Sequence, residues 1–99
     1  MTLDQLRRQI DRIDTRLVRL LNQRAALALK IGTEKCRCGA PLLDPVRERE
    51  VLGRIRVSGD GPLTPAQLEA IYTVIINKCT QVQARTAFGR NRARRGKPA

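Results

Sequence analysis

Arg24 interrupts an apolar stripe. From the N-terminus, Leu3, Leu6, Ile10, Ile13, Leu17 and Leu20 recur at alternating steps of three and four, and Leu27 and Ile31 continue the series. The seam position left between them, in "LLNQRAALALKIGTEK", holds a guanidinium. Lys35 follows eleven residues later, about three helical turns, and so faces nearly the same side. Arg47 and Glu48 precede Val51 and Leu52 by four, Gln83 follows Cys79 by four, and Arg7 flanks the seam beside Leu3 and Ile10. Singly, each has an ordinary account: a seam arginine can set helix register, and charges in first or last turns are commonly solvated. Together they are polar groups aimed inward from three segments, and a buried cation without a counter-charge is costly. Guanidinium forks match carboxylates bidentately. The set therefore suits a small polyanion, above all a dicarboxylate. It contains no nucleophile–base pair, so catalysis there would rest on positioning and electrostatics.

Composition narrows the chemistry further. The 99 residues include no histidine, which excludes imidazole catalysis and histidine-ligated metals. Cys36, Cys38 and Cys79 are one sulfur short of a four-thiolate zinc site, and Cys36 and Cys38 are too close for an ordinary disulfide. No apolar run behind a basic flank and no membrane-length stretch is present, so a soluble, cytoplasmic protein with reduced thiols is expected. The net charge of +11 is uneven: from Ala84 onward there are six cations and no acid, leaving fourteen cations against nine acids, or +5, for residues 1–83. That tail is expected to be disordered. It is also the main support for a rival reading, a small basic nucleic-acid-binding helical protein. Two aromatic residues offer such a protein little stacking capacity, and no groove-reading motif is present.

Three helices must position these groups. "TLDQL" is a capping box, with Thr2 as N-cap, Gln5 reaching back and Met1 placed to staple onto Leu6. The first helix should run to about Lys35, with Gly32 weakening its last turns and Gly39 as its stop. "DPVRERE" starts a second helix on Asp44 and Pro45, with Val51, Leu52 and Ile55 as its apolar face, and "SGDGP" ends it. "LTPAQL" starts a third on Thr64, with Gln67 completing the box and an inner face expected at Leu68, Ile71, Ile75, Cys79 and Val82. One domain over residues 1–83 and a basic tail over 84–99 follow. About 33 residues make the first helix a rod of roughly 50 Å, too long for two shorter helices to cover. An apolar repeat of 3.5 residues asks for a partner helix, so a homodimer with paired long helices is expected. Arg7 and Arg24, about 25 Å apart on one axis, cannot hold one small ligand in one chain. If Arg7 belongs to the site, it comes from the other subunit of an antiparallel pair.

In the order and spacing of "LRRQIDRIDTRLVRLLNQRAALALKIGTEK", "DPVRERE" and "LTPAQLEAIYTVIINKCTQVQ", over residues 3–83, the chain resembles an all-helical (AroQ-type) chorismate mutase. The resemblance implies an all-α, intertwined homodimer that converts chorismate to prephenate without a cofactor, in aromatic amino-acid biosynthesis. Carried over by position, Arg24 and the partner subunit's Arg7 would hold the two carboxylates. Lys35 and Gln83 would donate to the ether oxygen, Asp44 and Glu48 would lie near the ring hydroxyl, and Arg47 would be a further site arginine. Leu43 and Cys79 depart from the enterobacterial pattern, which has an arginine and a serine there. A thiol is the weaker donor, so lower affinity is expected; a small buried residue in a helix stripe is the simpler account of Cys79. On the same scaffold, a 4-amino-4-deoxychorismate mutase remains open, whereas an isochorismate–pyruvate lyase would lack an acid at Asp44. Dependence on a larger partner enzyme for full activity is also left open.

Overall fold

The computed structural model describes residues 1–85. The basic extension expected beyond residue 83 lies, from Thr86 onward, outside them. Three helices follow in chain order: α1 (Leu3–Cys38), α2 (Pro45–Ser58) and α3 (Pro65–Ala84). The described residues contain no strand, so the chain is all-α. No described helix is long and apolar enough to cross a membrane.

Side-chain caps start all three helices. The Gln5 N–H donates to Thr2 Oγ1 at 3.2 Å and the Thr2 N–H to Gln5 Oε1 at 2.8 Å. Gln67 and Thr64 repeat this reciprocal box at 3.1 and 2.9 Å. At α2, Asp44 Oδ1 accepts from the Arg47 N–H at 3.1 Å, and Pro45 occupies a position where a missing N–H costs nothing. The expected Met1–Leu6 staple does not cover Met1, which stays 81% exposed and accepts a hydrogen bond on its sulfur from Gln9. An interior glycine costs a helix about 1 kcal/mol relative to alanine, yet α1 continues through Gly32, because Gly32 and Ala28 are where α1 is buried. The helix ends on Gly39 at φ 76°, a left-handed conformation that glycine adopts without a Cβ clash. There the N–H groups of Gly39 and Ala40 both donate to the Lys35 carbonyl.

Packing is organised around α3, which lies against both α1 and α2. Ala28, Val51, Ile76 and Cys79 form the buried apolar core among the described residues. The inner face of α3 differs from the expectation in one respect: Ile71 is half exposed, and Ile76 takes the buried place. With Ile71, Val74, Ile75 and Ile76 all apolar, α3 carries more than one apolar stripe. The helices that meet it choose the one through Ile76 and Cys79. Along the N-terminal half of α1 no other described helix covers the seam. Leu3, Leu6, Ile10, Ile13, Leu17 and Leu20 remain 44–61% exposed in the single chain.

Candidate active site

Where α1, α2 and α3 meet, they enclose a cleft of about 400 Å³, within the range that small-molecule sites occupy. Each element contributes through its local geometry. α1 supplies Arg24 and Lys35 from one face, and the first turn of α2 supplies Asp44, Arg47 and Glu48. α3 supplies Cys79 and Gln83 from successive turns. Ala28, Ile31, Val51 and Ile76 make the apolar wall. Three cations against two carboxylates leave the lining with one net positive charge beside apolar surface, where charge–charge interactions are stronger than in water.

Lys35 is the most constrained of these groups. It is half-buried, and its ammonium donates to the Leu42 carbonyl at 2.7 Å and to Gln83 Oε1 at 3.0 Å. An ammonium has three N–H donors, so these two bonds fix the direction of the third. With Oε1 turned to the ammonium, the NH₂ end of the Gln83 amide is turned away from it. The same turn of α1 is thus tied at both ends, its carbonyl to Gly39 and Ala40 and its side chain to Leu42. On the outside of that turn, Arg37 pairs with Glu34 and holds its carboxyl below the usual range, while Glu34 holds the guanidinium up. The pair is exposed to solvent and is expected to add little to stability.

The other sequence candidates fall into two groups. Arg24 is half-buried, with its guanidinium carbon 5.5 Å from the centre of the Tyr72 ring. Glu48 is half-buried, while Arg47 is more exposed and reaches Glu50 at 3.5 Å. Cys79 is buried in the wall. Asp44 serves twice, as the cap of α2 and as part of the lining. Arg7 is exposed and is not brought to the cleft by its own chain, and Leu43, 63% exposed, does not line it. Sequence reasoning missed the Leu42 carbonyl, Thr80 in the lining, and Tyr72 beneath Arg24. For Tyr72 a signal existed: it stands one turn before Ile76, on the face that continues to Cys79 and Gln83. Among the described residues no group of three or more histidine, cysteine, aspartate or glutamate side chains is placed to hold a metal ion.

The chain is similar to known proteins in sequence and in fold. The bifunctional chorismate mutase/prephenate dehydratase of Aquifex aeolicus is 41% identical over 85 residues, which are 82% of this chain and 24% of that protein. The chain therefore spans about a quarter of the length of that relative. Among solved structures, a chorismate mutase (form II) from Thermus thermophilus superposes with a TM-score of 0.82 at 28% identity, covering 84% of this chain and 94% of that one. The chorismate mutase of Helicobacter pylori, solved in complex with prephenate, superposes with a TM-score of 0.76 at 32% identity over 84% of this chain and 90% of that one. The family model for chorismate mutase type II matches residues 6–84, from the first turns of α1 to the last residue of α3 and so across every wall of the cleft. The chain belongs to the chorismate mutase type II family.

Proposed function

We propose that this protein rearranges chorismate to prephenate. The observation that carries the reading is the contact of the Lys35 ammonium with the Gln83 amide inside a cleft that also holds two arginines. In this Claisen rearrangement the ether C–O bond breaks as a new C–C bond forms within one molecule. No electron is exchanged and no proton is transferred, so the protein needs only to hold a compact conformer and stabilise charge on the ether oxygen. Lys35 and the NH₂ of Gln83 donate to that oxygen, and Arg24 clamps one carboxylate. Asp44 and Glu48 meet the ring hydroxyl, Arg47 adds positive charge at the mouth, and Cys79 lines the carboxylate end. One net positive charge from a single chain is short of a dianion by one. The partner subunit's Arg7, reaching across a homodimer built on the exposed α1 seam, completes the match.

The test is chorismate consumption by the purified protein, with the product identified chromatographically. Prephenate is expected, and Arg24→Ala should raise KM steeply, with residual turnover still measurable at high chorismate and the helical content unchanged. Failure of the folded dimer to consume chorismate rejects the reading, and faster turnover of 4-amino-4-deoxychorismate would reassign the ring substituent held by Asp44 and Glu48. A second enzyme acting on prephenate is the kind of partner this activity calls for.

Gln83→Glu gives a sharper check, because an amide donates at any pH and a carboxylate only when protonated. The Lys35 ammonium beside the new carboxyl favours its ionised form, so near neutrality, above the pKa of that carboxyl, it cannot donate. Turnover by this variant should be present at acid pH and fall as pH rises through that pKa, whereas the parent shows no such loss. A pH–rate profile for Gln83→Glu that matches the parent's would remove Gln83 from the reaction.

A further inference from the structure

Tyr72 is the only tyrosine of the chain, which has no tryptophan, and the only aromatic residue among those described. It is half-buried on α3, and its ring lies under the Arg24 guanidinium, 5.5 Å from ring centre to guanidinium carbon. Tyr72, Ile76, Cys79 and Gln83 follow one another at steps of four, three and four, so the ring extends the cleft-facing side of α3 by one turn. Among the described residues no carboxylate forms an ion pair with Arg24.

The combination has a consequence for anion binding. An arginine side chain has many rotamers, and a bidentate clamp on a carboxylate requires one of them. A neighbouring aspartate or glutamate would order the guanidinium, but it would also neutralise it and compete with the incoming anion. The face of an aromatic ring orders the cation through its quadrupole and leaves the full charge for the ligand. We infer that Tyr72 is a positioning residue, a platform that holds Arg24 ready for a substrate carboxylate. The inference rests on the function proposed above.

Its signature is a KM effect transmitted only through Arg24. A carboxylate contact made alike in ground and transition states changes KM and spares kcat. With the full chain and chorismate, Tyr72→Phe should stay within about twofold of the parent, because the ring and not the hydroxyl is used. Tyr72→Leu should raise KM about three- to tenfold with kcat nearly unchanged. In an Arg24→Ala background, Tyr72→Leu should add no further effect. A merely structural tyrosine would instead lower kcat or helical content, and its loss would add to that of Arg24. An unchanged KM in folded Tyr72→Leu, or a further loss in the Arg24→Ala background, overturns the inference.

A second readout needs no turnover. Stacking under a ring shifts the Arg24 side-chain proton resonances upfield, and the shift should persist in Tyr72→Phe and vanish in Tyr72→Leu. A parent protein that leaves chorismate unchanged overturns the functional reading itself. A parent that turns chorismate over without the ring-current shift overturns only the role of Tyr72.

Discussion

Replacing Lys35 with alanine will lower the proposed turnover of chorismate at least about a hundredfold, with the helices and the proposed dimer intact. A rate acceleration of about a millionfold requires roughly 8 kcal/mol of differential stabilisation. A single well-placed donor to a developing oxyanion supplies about 3–4 kcal/mol in mutagenesis. In the proposed site Lys35 and Gln83 act together in this way, a pairing supported by their 3.0 Å contact. Removing the ammonium leaves the Leu42 carbonyl and Gln83 Oε1 without the donor they share, so some displacement of the loop between α1 and α2 is expected. Lys35→Met separates the two effects, since it keeps most of the side-chain volume and removes only the charge and the donors. Both variants should retain the parent's circular dichroism and sedimentation behaviour while losing kcat. Near-normal kcat in either one would reject Lys35 as the principal donor.

Much of this site was legible because helices turn spacing into geometry. A capping residue and a period of 3.6 fix which residues share a face, so Arg24 with Lys35, and Cys79 with Gln83, were already paired in the sequence. Asp44 and Pro45 marked the start of α2, which in turn placed Arg47 and Glu48 in its first turn. What spacing within one helix cannot give is the rotation of that helix against its neighbours. α3 has apolar residues on several sides, and nothing local to it says that Ile76 is buried and Ile71 is not. The same missing rotation hid Tyr72, whose partner is 48 residues away on another helix. The Leu42 carbonyl was hidden for a different reason. It is a backbone acceptor in a loop, where residue type says nothing about which way the carbonyl points.

Leu17→Asp will dissolve the proposed dimer and abolish activity with it. The single chain has a small core, four buried apolar residues among the 85 described. Six seam residues of α1 stand 44–61% exposed. Complete burial of a leucine or isoleucine side chain contributes about 1.5–3 kcal/mol, so covering half of each gives about 1 kcal/mol per residue. Twelve such residues in two paired chains contribute on the order of 10 kcal/mol, comparable with the whole stability of a small domain. An aspartate at the centre of that seam both removes a share of this burial and requires a carboxylate to lose water opposite its own symmetry mate. Light scattering should report a monomer, and circular dichroism reduced helical content. Asn22→Asp, an acid on an exposed turn outside the seam, is the control and should behave as the parent does. In the proposed arrangement activity falls with the dimer, because the partner subunit's Arg7 is the second carboxylate-binding arginine and Arg7 of the same chain lies about 25 Å from Arg24 along α1. A stable, fully active monomer of Leu17→Asp would overturn both the seam interface and the assignment of Arg7 to the partner's site.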